Sequence, residues 1–255
     1  HEILNAKPYA FLDDAPLEER RTQAVATRRS LDLKTAEEFG RLDLDAIERV
    51  REEAAPDVSS AEDLHDALLV MGAMPEREGR RGQGEGWDRY FDELRRAGRS
   101  GVLQTPVPLW AAAERLPMLA AAYPGAVCEP SLVAPERECA KTWTREEAIR
   151  ELVRGHLEVA GPTTAVDIAR VLGLDASDVD FGLGALEHEG FVLRGRFTPG
   201  VTVLEWCERR LLARIHHYTV KRLRAEIEPV AARDFLRFLP LWQRVSPATR
   251  MEGPD

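Results

Sequence analysis

TREEAIRELVRGHLEVAGPTTAVDIARVLGLDASDVDFGLGALEHEGFVLRGRFTPGVTVLEW, residues 144–206, holds three helical patterns followed by one β-rich stretch, and that order decides the fold. Thr144 stands as an N-cap with Glu147 at the third helical position, and Ile149, Leu152, Val153 and Leu157 share a face. Pro162 and Thr163 then precede a short helix with apolar Ile168, Val171 and Leu172, which Gly173 is placed to end. A cap at Asp175 or Ser177 opens a third helix through Val179, Leu183 and Leu186, stopped by Gly190. The remainder is β-rich and broken at Gly195 and at Pro199-Gly200, the pattern of a strand, a turn and a return strand. Three short helices and a hairpin predict a winged helix over 144–206.

Charge divides this stretch. The third helix carries Asp178, Asp180, Glu187 and Glu189 and has no Lys or Arg between Asp175 and Gly190. Phosphates repel such a helix, so sequence-specific reading of a major groove is not expected. From Arg194 to Arg224, seven Arg and one Lys stand against Glu205 and Glu208, a local balance of +6, with His216 and His217 besides. Arg210, Arg214, His217, Lys221 and Arg224 recur at helical steps on one face, with Leu212, Ile215, Leu223 and Ile227 roughly opposite. The candidate nucleic-acid contacts are therefore Arg194, Arg196, Arg210, Arg214, His217, Lys221 and Arg224. A basic stripe of this kind tracks a phosphate backbone; its structural alternative is a solvated face paired with acidic neighbours.

Length and composition bound the reading. At 255 residues, with 44% hydrophobic and 31% charged side chains, the chain has enough material for two or three small folded domains. A formal charge of -9 argues against a protein that coats nucleic acid all over, while permitting one basic stripe on an acidic body. No run approaches the roughly 18 apolar residues of a membrane span, and no secretory signal opens the chain, so the expected location is cytoplasmic. Cys128, Cys139 and Cys207 are odd in number and lack a close CxxC pair, which supports neither a disulfide framework nor a zinc site.

Working outward, residues 1–40 form an N-terminal helical segment, with a helix expected over 17–31, and the chain reads as a piece of something longer because it opens without Met. Residues 41–116 repeat the order helix, helix, loop, helix, strands: DLDAIERVREEAAPDV, then SSAEDLHDALLVMGAM, then a Gly- and charge-rich loop over 76–86 with Arg77, Arg80 and Arg81, then GWDRYFDELRRAGRSG. The fold class is thus mainly α with small β-hairpins, as tandem winged-helix-like units, in which DLHDALLVMGAM corresponds to AVDIARVLGL. Unlike its counterpart, the first unit's third helix is basic, with Arg89, Arg95, Arg96 and Arg99, so Arg95 and Arg99 join the candidate contacts. Residues 117–143 read as a linker, and 207–255 as the basic helix followed by a helical segment whose Phe235, Phe238, Leu239 and Trp242 pattern fits a core more readily than a base-stacking platform.

HEILNAKPYAFLDDAPLEERR, ELVRGHLEVAGP, EGFVLRGRFTPG and EWCERRLLARIHHYTVKRLRAEIEPV together resemble the large helicase-related (Lhr) family of bacterial superfamily 2 ATP-dependent helicases, over most of the chain and least clearly between Glu76 and Gly86. The resemblance implies an accessory region following two RecA-like motor domains and a winged helix. It departs from a complete helicase: no GxxxxGK[ST] loop, DExH box or arginine finger is present. ATP and Mg would then belong to the motor domains of the parent, and no cofactor is expected in these residues.

Tandem winged helices of this kind also resemble a bacterial DNA glycosylase family that unhooks crosslinked bases. That resemblance implies a Gln-x-Gln pair positioning water at the sugar, but Gln23, Gln83, Gln104 and Gln243 each stand alone, so an intrinsic glycosylase is not expected. The six histidines form no HExxH motif and read as surface or core residues, while Trp110, Trp143 and Trp206 suit either stacking or core roles. The sequence therefore predicts a nucleic-acid-binding accessory domain of a helicase, without catalytic or metal-binding residues of its own. Its expected partners are single-stranded or tailed duplex nucleic acid and the motor domains of the same polypeptide, in a DNA-repair setting, with no membrane. Two alternatives are a docking module that packs on the motor domains or orders an oligomer, and a free-standing regulator; the acidic third helix weighs against the second.

Overall fold

A computed structural model describes residues 42–81, 86–225 and 232–243. The expected helix at 17–31, and with it Gln23, Gln83, Ile227 and the tail, lies outside the described residues. What is described is mainly helical with two small antiparallel sheets. Two compact units divide at His217 and Tyr218.

In the first unit, α1 (Leu44–Ala54) buries Ala46, Ile47 and Val50. α2 (Ala61–Met71) starts where the Ser60 hydroxyl accepts the Asp63 N–H and ends at Gly72, whose φ of 77° few side chains tolerate. β1 (Met74–Pro75) and a single turn, α3 (Glu76–Gly79), lead to α4 (Asp88–Arg96), which buries Phe91 and Leu94. β2 (Ser100–Gln104) and β3 (Leu109–Ala112) form a hairpin, and α5 (Leu116–Ala122) and β4 (Val127–Glu129) follow. The sheet order is β1-β3-β2-β4, all antiparallel.

After the short α6 (Glu136–Cys139), α7 (Arg145–Ala160) begins with a complete capping box: Thr144 accepts the Glu147 N–H and Glu147 accepts the Thr144 N–H. α8 (Ala165–Leu172) is capped by Thr164 and closed by left-handed Gly173, and α9 (Ala176–His188) starts from Asp175. β5 (Val192–Gly195) and β6 (Glu205–Glu208) pair as a hairpin, and Thr163 forms a bridge to Trp206, exchanging N–H···O bonds of 2.9 and 2.7 Å.

Strand pairing realigns the two halves. β1 pairs with β3 just as Thr163 pairs with β6, so the helix ahead of β1, α2, stands in the place of α7. The segment DLHDALLVMGAM therefore matches ELVRGHLEVAGP in position, and not AVDIARVLGL as its sequence pattern indicated. The short counterpart of α8 is α3, which the sequence hid inside a Gly-rich loop.

β3 explains why the halves do not behave as separate beads. All four of its residues are buried, and the twofold alternation of a strand sends Leu109 and Ala111 to one core and Trp110 and Ala112 to the other. Residues 117–143, expected as a linker, contribute Met118, Leu119, Ala122 and Tyr123 to the larger core and an edge strand to the sheet. The Tyr123 hydroxyl donates to the Leu172 carbonyl at 2.6 Å, fixing α5 against the end of α8. The halves meet where α7 crosses α2: a Cβ on Gly155 would lie 2.5 Å from the Met71 carbonyl oxygen.

α10 (Arg209–Ala225) runs across the boundary of the two units. In its first half Leu211, Leu212 and Ile215 are buried, but Leu223, expected opposite the basic stripe, is 54% exposed. α11 (Ala232–Trp242) in the second unit has no buried residue. Phe235, Phe238 and Trp242, read from sequence as core, are exposed, with Phe238 and Trp242 stacked on each other at 6.5 Å.

Candidate nucleic-acid interface

The hairpin and the helix that follows it carry most of the candidate contacts, and two carboxylates organise both. Glu205 and Glu208 are each only 3% exposed. The Phe197 and Thr198 N–H groups donate to one Glu205 oxygen at 2.8 and 2.7 Å, and the Thr198 hydroxyl donates to the other at 2.7 Å. Glu208 accepts the Leu211 N–H at 2.8 Å, satisfying a free donor in the first turn of α10. The two negative charges that offset the basic stretch thus face inward and hold backbone. The surface of this stretch is more positive than its composition indicates.

Arg194, Arg196, His217, Lys221 and Arg224 are exposed, and the Arg210 and Arg214 side chains keep 55% and 42% of their surface in solvent. Several of these cations also have carboxylates nearby: Arg194 lies 3.7 Å from Glu187, Arg210 lies 3.3 Å from Glu208, and Arg214 lies 2.5 Å from Glu53 of α1. The Arg214–Glu53 pair, whose two side chains both remain partly in solvent, is worth about 0–1 kcal/mol, so exchanging that carboxylate for a phosphate costs little. Arg210 and Arg214 border a cleft of about 490 Å³ whose lining includes Ala54, Glu158 and Leu211. Burial pushes the Glu158 carboxyl above its usual range, against the pull of Arg210. His216, beside the stripe, is pushed down by burial and by its neighbour His217.

The other two candidates are separated by the fold. Arg95 is exposed near the end of α4. Arg99 does not sit on that helix: it follows the turn after it and donates to both Glu62 oxygens at 2.5 and 2.9 Å, with His65 Nδ1 at 3.0 Å. His65 is buried, its Nε2 lying 3.2 Å from Glu114, so this cluster ties α2 to the end of the sheet. Arg89 stacks on the Tyr90 ring at 4.5 Å, and Arg80 pairs with Glu76 and Asp88.

The acidic third helix is more internally paired than its sequence implied. Asp178 accepts from Arg145 at 2.6 Å, which holds its carboxyl below the usual range, and Glu189 pairs with Arg150 and Arg154. These bridges join α9 to α7. Asp180 and Phe181 face solvent, Phe181 at 62% exposure. A phosphate-binding helix is still not what α9 offers.

Trp110 is fully buried and stacks on Phe91 at 4.0 Å; Trp206 is 8% exposed, under the Arg194 guanidinium at 5.7 Å. Neither presents a ring face to a base. Gln104 and Gln243 are exposed on separate elements. Among the described residues no group of three or more His, Cys, Asp and Glu is placed to hold a metal, and no helix is long and apolar enough to cross a membrane.

A relative from Mycolicibacterium smegmatis (strain ATCC 700084 / mc(2)155), described as an Lhr helicase/probable uracil glycosylase, is 28% identical over 268 aligned residues. That alignment covers 97% of this chain but only 17% of the relative, so the chain corresponds to a small part of that protein's length. The family profile described as DNA glycosylase AlkZ-like matches residues 9–214, which takes in the two sheets, the helices packed on them and the start of the basic helix. With most of its length matched, the chain belongs to the AlkZ-like DNA glycosylase family.

Proposed function

We propose that this chain is a DNA-binding accessory module of a helicase-type repair enzyme, made of two winged-helix-like units: α2 through β3, and α7 through β6. It grips single-stranded or tailed duplex nucleic acid through backbone contacts from Arg194, Arg196, Arg210, Arg214, His217, Lys221 and Arg224, with Arg95 at a separate site. RecA-like motor domains of the same polypeptide bind ATP and Mg, and the grip turns their strokes into directed movement. The observation that carries this reading is the inward placement of Glu205 and Glu208, which leaves an outward surface of cations on an otherwise acidic chain. The family and the Lhr relative support a role on DNA. The isolated glutamines give no support to glycosylase chemistry in this chain.

The competing reading is a docking module, favoured by the Arg214–Glu53 and Arg210–Glu208 pairs. Fluorescence anisotropy with labelled single-stranded and duplex DNA at two salt concentrations separates the two. Counterion release gives a slope of about -0.7 per neutralised phosphate on single strands. Replacing Arg210, Arg214, Lys221 and Arg224 by Ala should therefore flatten the salt dependence by roughly 3. A folded chain that does not bind at low salt leaves the docking reading in its place.

A further inference from the structure

Among the carboxylates around the cleft at Arg210 and Arg214, Glu158 stands apart. Glu53 pairs with Arg49 and Arg214, and Glu151 pairs with Arg150 and Arg154. Glu208 accepts the Leu211 N–H and lies 3.3 Å from Arg210. Glu158 is partly buried, yet it has no hydrogen bond and no ion pair among the described residues. A charge taken out of water is ordinarily paired, because leaving its lone pairs empty costs free energy. Burial accordingly pushes this carboxyl up. It is an acceptor without donors.

Its position shows where donors would come from. Glu158 lies on the face of α7 that also carries Glu151 and Arg154, in the last turn of the helix. It borders the cleft of about 490 Å³ whose apolar lining is Ala54, Leu211 and Ala213, and also a smaller one of about 220 Å³ lined by Arg115 and Arg154. The larger volume falls within the ~300–1,000 Å³ of small-molecule sites. Arg210 and Arg214, one helical turn apart on α10, stand on its other side. Charge then selects what enters. A simple cation meets the guanidinium groups, and a simple anion meets Glu158. The occupant must carry donors at one end, negative charge at the other, and a body that tolerates aliphatic walls.

We infer that this cleft is a subsite for a guanine nucleotide of a bound single strand: Glu158 accepts the N1–H and N2–H of the base, Ala54, Leu211 and Ala213 line its body, and Arg210 and Arg214 hold its phosphate. A carboxylate offers two acceptors and no donor. Guanine is the base whose pairing edge presents two adjacent donors; adenine and cytosine set a donor beside an acceptor, and thymine flanks one donor with two acceptors. That edge is free only when the base is unpaired, so a duplex does not qualify. This inference rests on the proposed DNA-binding function and gives it a base preference at one position.

The test uses the full chain and three labelled single strands: oligo(dT), and the same strand with one central dG or one central deoxyinosine, which lacks the N2 amino group. In fluorescence anisotropy the dG strand should bind about tenfold more tightly than oligo(dT), the worth of one charge-assisted hydrogen bond, with the deoxyinosine strand between them. Glu158→Gln, which exchanges one acceptor for a donor, should bring the three strands to one affinity. It should do so without lowering the melting temperature, because Glu158 bonds nothing in the native chain. Equal binding of the three strands by the native chain overturns the strand subsite and leaves the DNA-binding function standing. A dG preference that survives in the variant, or a deoxyinosine strand that matches dG, overturns it as well. Thermal shifts with GMP and TMP form a second arm, independent of strand binding. A GMP-specific shift lost in Glu158→Gln, without any strand preference, assigns the cleft to the free nucleotide instead. If the native chain binds no strand, the DNA-binding function falls and the strand subsite with it.

Discussion

The crossing of α7 over α2 makes Gly155 the most informative single position in the protein. A Cβ there would lie 2.5 Å from the Met71 carbonyl oxygen, 2.6 Å from its carbon and 2.7 Å from the Val70 oxygen. Ordinary contact begins at 3.4 Å, so the helices must separate by about 0.9 Å, the difference between 3.4 and 2.5 Å. The obstacle is backbone, which cannot rotate aside. Nor is α2 free to retreat, since Arg115 donates to the Leu69 carbonyl at 2.8 Å. Overpacking of this kind costs about 1–3 kcal/mol. Relief of glycine's helix penalty returns up to ~1 kcal/mol. Gly155→Ala should therefore lose about 2 kcal/mol, the upper part of the first range less the second. Gly184, in the interior of α9 with nothing within 4 Å of its Cβ position, is the internal control. Gly184→Ala should gain about 0.5–1 kcal/mol. Urea unfolding followed by circular dichroism reads both from the midpoint at constant slope. If the two variants shift in the same direction, the close crossing is not what holds the two halves together.

Three further outcomes follow from local geometry. Removing the capping box with Thr144→Ala should cost about 1 kcal/mol in the same urea experiment, and a loss under 0.3 would mean that water replaces the cap at no cost. Glu205→Ala removes a carboxylate that holds two backbone N–H groups, so amide exchange at Phe197 and Thr198 should accelerate at least ~30-fold, matching about 2 kcal/mol, while exchange in α7 stays unchanged. His156 is half-buried overall, but its Nδ1 is sealed without a hydrogen-bond partner, and burial pushes the imidazole down to about 4. The unfolded chain then binds more protons than the folded one between about pH 6.5 and 4, so stability should fall across that window by about 1–2 kcal/mol. A His156→Gln variant with the same pH slope as the native chain would show that this side chain is not the cause.

Much of the fold was legible because the deciding interactions are short in sequence. The Thr144 box, the left-handed stop at Gly173 and the Pro199-Gly200 turn each join residues within a few positions of one another, and the local pattern is sufficient to read them. The same holds for the buried faces of α7, α8 and α9, whose apolar spacing matches the helical repeat. The positive surface was visible as a charge run. Its completeness was not, because a sequence does not say that Glu205, Glu208 and Arg209 turn inward while Arg194, Arg196 and Arg210 stay exposed.

What only the tertiary structure decided involves partners far apart in the chain. Sequence pattern aligned α2 with α8; the pairing of β1 with β3 and of Thr163 with Trp206 aligned it with α7. The stretch read as a linker joined a core because its apolar residues meet α7 and α8, an encounter no local signal announces. Arg99, an exposed helix cation on sequence grounds, is held by Glu62, 37 residues away, and Arg214 by Glu53, 161 residues away. A charge's role depends on what lies within about 4 Å of it, and over such separations only the packing of the elements sets that distance. The sequence determined the helices, the turns and the sign of the surface; the structure decided which charges are engaged, which halves correspond, and that one strand serves two cores.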